Sequence, residues 1–126
     1  MELNFEHIHY RCADMHATTQ WYIDVLGATF LEEKMLAGNR AIRLELGGTI
    51  LNFFPADKSL KNIPAMEKLG AYHIAFFVEN HDAAVAHFKK RGALFFKEGI
   101  MAAPDLKVAF IEAPDGMQVE LMEKIQ

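Results

Sequence analysis

His7 and His73 stand at equivalent places in an internal repeat, as do Asn52 and Glu120, and these four residue types together can hold a divalent cation. The stretch HIHYRCADMHATTQWYIDVLGATF, which begins at His7, is echoed by HIAFFVENHDAAVAHFKKRGALFF, which begins at His73. Further on, GTILNFF from Gly48 is echoed by GMQVELM from Gly116, so the interval from His7 to Asn52 nearly equals that from His73 to Glu120. Two neutral imidazoles and one carboxylate fill three positions of a first-row divalent ion and leave about two or three for water or a bidentate substrate. A single strand histidine is more often a structural residue; equivalence within a repeat is what turns His7 and His73 into candidate ligands. Glu120 beside Gln118 and Glu123 has the competing reading of a solvated strand-edge carboxylate. Asn52, a short neutral donor, either binds directly, holds a metal-bound water or takes no part.

The elements that must position these residues follow the same plan twice. Residues 4–11 alternate with the period of a strand, putting Phe5, His7, His9 and Arg11 on one side and Ile8 and Tyr10 on the other. Asp14 caps a helix over 15–26 whose apolar face carries Trp21, Tyr22 and Val25, and Gly27 ends it. Strands follow near 28–34, 40–46 and 49–54, with turns at Ala37-Gly38-Asn39 and Gly47-Gly48. The second copy reads as a strand over 72–78, a helix over 82–91 opened by Asn80 or Asp82, and strands near 93–98, 106–112 and 117–123, with Pro114-Asp115-Gly116 a turn. Strand parity places Asn52 with Ile50 and Phe54, His73 with Ala75 and Phe77, and Glu120 with Gln118 and Met122, each opposite a strongly apolar row. The chain therefore divides into a module of about 1–54, a linker over 55–70 with two prolines, three lysines and a short helical turn, and a module of about 71–126.

Composition bounds the function classes. A chain of 126 residues with 52% hydrophobic and 24% charged content can bury a core. A net charge of −4 with scattered Lys and Arg argues against nucleic acid or an anionic membrane as partner. The single cysteine, Cys12, cannot form an internal disulfide, and neither a secretory leader nor an apolar span is evident, so a cytoplasmic location is expected.

The opening strand HIHYR at His7, the helix end WYIDVLG at Trp21, the strand GAYHIAF at Gly70 and the closing DGMQVEL at Asp115 together resemble the paired modules of the vicinal-oxygen-chelate superfamily, over essentially the whole chain. That superfamily contains glyoxalase I, methylmalonyl-CoA epimerase, extradiol dioxygenases and the bleomycin and fosfomycin resistance proteins. The resemblance implies an α+β fold of two βαβββ modules forming an open, cup-like mixed sheet, with helices outside and metal ligands inside. It implies His7, His73 and Glu120 as ligands, with Asn52 where the family usually has Glu or Gln. It also implies a homodimer, in which a site is built within one chain or from two subunits.

The implied chemistry is that of a glyoxalase-like lyase or isomerase acting on a small oxygenated metabolite. A divalent ion (Ni, Zn, Co, Mn or Fe(II)) would chelate neighbouring oxygens and stabilise the charge left when the adjacent carbon loses a proton. Glu120 is the only carboxylate among the four positions and the first choice of base, with His9 and Glu45 as a second proton-transfer group or substrate contact. Arg11, Phe54, Phe77 and Met122 are candidate substrate contacts, although aromatic and Met residues at strand spacing are more often core. Extradiol-type iron(II) dioxygenase chemistry is the alternative, favoured by the missing carboxylate at position 52. A metal-free, ligand-sequestering resistance protein is a further reading, and a fosfomycin-type thiol transferase would need more cationic groups in the cup than Arg11 and Arg43. His16, His81 and His87 are expected at the surface, and residues 55–70 are placed to act as a lid.

Overall fold

A computed structural model describes all residues, Met1–Gln126. The chain forms two compact units, Met1–Lys61 and Asn62–Gln126. The first contains β1 (His7–Cys12), α1 (Met15–Leu26), β2 (Thr29–Leu36), β3 (Asn39–Leu46) and β4 (Thr49–Pro55). The second repeats this with β5 (Ile74–Phe77), α2 (His81–Lys90), β6 (Phe95–Ala103), β7 (Leu106–Glu112) and β8 (Gln118–Lys124). Sheet order is β1-β4-β3-β2 in one and β5-β8-β7-β6 in the other, with β1 parallel to β4 and β5 parallel to β8, and antiparallel pairs elsewhere. Both sheets are open and mixed, as the α+β reading of two βαβββ modules requires.

In the first unit the Asp14 side chain accepts from the Ala17 N–H at 3.0 Å and starts α1. Gly27, at φ 79°, ends it. Met15, Thr18, Tyr22, Val25 and Leu26 fall on one helical face and are buried, while Trp21 stands half-buried at its margin. The Thr19 hydroxyl donates to the Met15 carbonyl at 2.8 Å, so this polar group enters the core satisfied. The core beneath is aromatic: Tyr10, Tyr22 and Phe53 pack with ring centroids 5.3–6.1 Å apart over Leu44 and Leu51. Tyr10 thus faces the helix, and His7, His9 and Arg11 take the other side of β1, as parity required. Cys12, 0% exposed, closes that strand as a buried thiol outside any disulfide.

The structure differs from the sequence reading in its strand bounds and at His81. The first strand begins at His7 rather than residue 4, and the fifth is shortened so that His73 stands immediately before it. β6 runs on to Ala103, beyond the expected 93–98, because a bulged register around Gly99, at φ 69°, lets the strand continue past that glycine. His81, expected at the surface, is buried. Its backbone N–H donates to Glu123, Nδ1 meets Asp82 at 2.7 Å, and Nε2 accepts from the Gly99 N–H at 2.9 Å, so the histidine joins the start of α2 to the bulge of β6. His16 and His87 are exposed.

The later half of the 55–70 stretch belongs to the second unit's packing. Ala65 is buried in a single 3-10 turn, Ala65–Glu67. A side chain on Gly116 would begin 2.5 Å from the Ile63 carbonyl oxygen, so this segment lies directly on the Pro114–Gly116 turn.

Candidate functional site

In the first unit, the face of the sheet opposite α1 carries His7, His9, Asn52, Phe54, Arg43 and Glu45. Register sets these neighbours: His9 lies beside Asn52, and Arg43 opposite it. Asn52 is 2% exposed, and its side-chain oxygen accepts from Arg43 Nε at 2.9 Å. The same guanidinium reaches Glu6 at 2.6 Å and Glu32 at 3.5 Å. Glu6 in turn meets His7 Nδ1 at 2.5 Å. Asn52, Arg43, Glu6 and His7 therefore form one relay, in which the buried amide orients the guanidinium and the guanidinium holds the carboxylate against the imidazole. The bonds to His7 and then Arg43 hold the Glu6 carboxyl below its ordinary value. With Nδ1 engaged, Nε2 is the His7 nitrogen left for another partner.

His9 packs its ring on Phe54 with centroids 3.9 Å apart and lies 6.0 Å from His7. Burial, and secondarily His7, push its imidazole below the usual range, so it is neutral at neutral pH. Glu45 accepts from the Gly48 N–H at 3.0 Å and so holds the β3–β4 turn. Arg11 is exposed at the end of the strand.

The second unit presents the equivalent face with different chemistry. His73 Nε2 and Glu120 Oε1 lie 3.1 Å apart. Phe110 is opposite Glu120 in the β7–β8 register, where the first unit has Arg43 opposite Asn52, and its ring lies 5.5 Å from that of His73. Glu120 is thus buried with an imidazole and a phenyl ring for neighbours rather than a guanidinium. The His73 Nδ1 is buried without a hydrogen-bond partner, and Nε2 is the nitrogen that meets Glu120. Met122 is half-buried on the same face, whereas Phe77 is 63% exposed with Lys124 Nζ 4.7 Å from its ring centroid.

Of the four predicted ligands, the structure brings His73 and Glu120 together; His7 and Asn52 stand in the first unit. No group of three or more His, Cys, Asp or Glu side chains gathers as a metal-holding set. The pair itself suits a cation: two donors with bonds of about 2.0–2.2 Å to one ion stand roughly 3 Å apart, which is their separation. Asn52 has its oxygen committed to Arg43, so it positions that cation rather than offering an unoccupied donor. Sequence reasoning missed Glu6 and Phe110 and left Arg43 a passing cup cation; aligning the strand of Arg43 with that of Phe110 was the available signal.

Comparison with known proteins agrees with this architecture. The family model of the glyoxalase/bleomycin resistance protein/dioxygenase superfamily matches residues 4–121. The uncharacterised protein YaeR of Escherichia coli (strain K12) is 26% identical over 121 residues, covering 94% of each chain. The crystal structure of a glyoxalase family protein from Enterococcus faecalis superposes with a TM-score of 0.80 at 26% identity, over 95% of this chain and 97% of that one. A fosfomycin resistance protein mutant, FosX from Listeria monocytogenes, complexed with Mn(II) and 1S,2S-dihydroxypropylphosphonic acid, shares the fold with a TM-score of 0.76 at 18% identity, over 98% and 94% of the two chains. With a family match over nearly its whole length and a doubled βαβββ plan to carry it, the chain belongs to the glyoxalase/bleomycin resistance protein/dioxygenase superfamily.

Proposed function

We propose that the protein is a divalent-metal-dependent lyase or isomerase of the glyoxalase type, acting on a small metabolite with two neighbouring oxygens. The observation that carries this reading is the His73–Glu120 pair, 3.1 Å apart, with no cationic residue opposite Glu120 to neutralise it. Nickel, zinc, cobalt, manganese or iron(II) would be held by this pair, with His7 as a further candidate ligand and a homodimer as the proposed assembly. When bound, the ion supplies Lewis-acid stabilisation of negative charge on the substrate oxygens.

The residues of the chain supply the rest. Glu120, largely withdrawn from water, accepts the proton from the substrate carbon and returns it to the neighbouring carbon on the same face. His7 is held in one ring orientation by Glu6, and Arg43 with Asn52 holds Glu6. His9, neutral and packed on Phe54, is the candidate second proton carrier; Arg11, Phe77 and Met122 are the remaining candidate substrate contacts. Glu45 is assigned to the turn it holds. No helix is long and apolar enough to cross a membrane, and the buried Cys12 thiol accords with the reducing cytoplasm we propose as its location.

Extradiol-type iron(II) dioxygenase chemistry is the second reading, favoured by one observation: Asn52 is committed to Arg43, which removes the fourth candidate donor. Calorimetric titration of chelator-treated protein with Mn(II), Ni(II), Co(II) and Zn(II), followed by assays with methylglyoxal plus thiol and with catechols under oxygen, separates these. Stoichiometric binding that disappears in Glu120→Gln and His73→Ala is the expected result, with ketoaldehyde turnover selecting the lyase and oxygen uptake the dioxygenase. Binding undiminished in both variants would refute the metal site, and tight capture of a small molecule by the metal-free protein without turnover would favour the sequestering class.

A further inference from the structure

We infer that His81 is an acid-sensitive catch, which in its neutral form ties the outer strand of the second unit to α2 and on protonation lets that strand go. The residue is 4% exposed and both ring nitrogens are engaged. Nε2 lies 2.9 Å from the Gly99 backbone nitrogen, whose N–H can only donate, so Nε2 must offer its lone pair. Nδ1 lies 2.7 Å from Asp82 Oδ1, and the same oxygen accepts from Lys107 Nζ at 3.1 Å. The bonds from His81 and then Lys107 hold the Asp82 carboxyl below its ordinary value, so it stays an acceptor over the range in which histidines titrate. Nδ1 therefore carries the proton of the neutral ring. A second proton can go only to Nε2, where it sets one N–H against another.

The strand held in this way has few other ties. β6 stands at the edge of its sheet and pairs with β7 alone. Its register shifts repeatedly, and neither Glu98 nor Gly99 has a partner in it. Glu98 reaches back to Lys89 on α2 at 2.9 Å, an exposed ion pair of the kind that stabilises little. Beyond the bulge, Ile100 and Met101 are 43% and 51% exposed, so burial anchors that end weakly. The charged groups around His81 come from each element packed on α2: Asp82 from the helix itself, Lys107 from β7, Glu98 from β6, and Glu123 from β8, which accepts from the His81 backbone N–H at 2.6 Å. Lys107 and Glu123 are register partners, and Glu123 alternates with Glu120, so the catch lies on the opposite face of the sheet from the His73–Glu120 pair. Protonation keeps the bond to Asp82 and removes the acceptor of Gly99. Residues Gly99 to Ala103 then lose their tie to α2, while Asn80 still caps the helix through the Ala83 N–H at 2.8 Å.

The test follows amide hydrogen exchange of the full-length protein by NMR from about pH 8 to about pH 5, the range in which histidine changes charge. Rates are normalised to the intrinsic exchange rate at each pH, and the His81 ring is titrated through its own carbon and nitrogen signals. Protection of the Gly99 amide is expected to fall at least about tenfold, the equivalent of one buried hydrogen bond, with the midpoint of the His81 titration. Val119 and Leu121 in β8 should keep theirs. His81→Gln places a side-chain oxygen that accepts from Gly99 and does not titrate, so in that variant Gly99 should stay protected at both ends of the range. Gly99 protection unchanged as the ring titrates, a His81 that keeps one charge state throughout, or equal losses at Gly99, Val119 and Leu121 would each overturn the inference. So would an acid loss at Gly99 that persists in His81→Gln. If that variant does not fold, the unaltered protein decides by the first three outcomes.

Discussion

Arg43 shows how much a single side chain can redirect a site. Its guanidinium is the only donor described for the buried Asn52 oxygen, and the same group braces Glu6 against His7. Replacing one partner of such a bond strands the other, whereas replacing both with apolar groups of similar size restores much of the loss. Arg43→Met is therefore expected to lower unfolding free energy by about 1–3 kcal/mol, and Arg43→Met with Asn52→Leu to recover most of it, both measured by urea denaturation. At this scale the sequence told part of the story. His7, His73 and Glu120 could be singled out because repetition marks a residue independently of its neighbours. The partners of Asn52 could not, because which of several exposed cations folds back onto an amide is decided by strand register, and Glu6 lies before the first strand altogether.

Elements carry their own tests. Gly116→Ala combines a positive φ with a Cβ placed 2.5 Å from backbone, whereas Gly38→Ala at φ +80° meets nothing within 4 Å. Gly116→Ala is expected to cost clearly more than the roughly 1 kcal/mol of conformational strain that Gly38→Ala incurs, read as the difference between their urea midpoints. Tyr10 supplies a pH-dependent test. Burial, partly opposed by Tyr22, pushes its hydroxyl from 10.0 up to about 12. Between these values the unfolded chain releases the proton and the native chain keeps it, so stability is intact below pH 10 and falls by about 1.4 kcal/mol per pH unit until pH 12. Tyr10→Phe should flatten that alkaline loss. Helix ends and hairpins were legible in the residues that make them, since Asp14, Asn80, Gly27 and Gly47-Gly48 act through local backbone geometry. The reach of β6 and the burial of His81 were not, because each depends on the bulge at Gly99 and on a contact between elements distant in sequence.

Across the whole molecule, the two halves keep one plan and divide the chemistry. Equivalent strand positions hold Asn52 facing Arg43 in the first unit and Glu120 facing Phe110 in the second. The buried polar group thus faces a guanidinium in one unit and a phenyl ring in the other. Transferring the first arrangement to the second, by Phe110→Arg, is expected to pair the new guanidinium with Glu120. That should reduce divalent-cation affinity at least about tenfold while far-UV circular dichroism is unchanged, since a cation beside a carboxylate competes directly for it. The doubled architecture was readable from recurrence alone. Which of the four candidate ligands meet was not, since recurrence marks equivalent positions and says nothing of the distances between them.

Trp21, the only tryptophan, and Cys12, the only thiol, both lie in the first unit. The protein consequently has a natural pair of reporters on one half and neither on the other. Intrinsic fluorescence and the rate of thiol labelling will follow the opening of residues 1–61, and loss of ellipticity will follow both halves. Any lag between those signals during denaturation measures, without a label or a variant, how independently the second half melts.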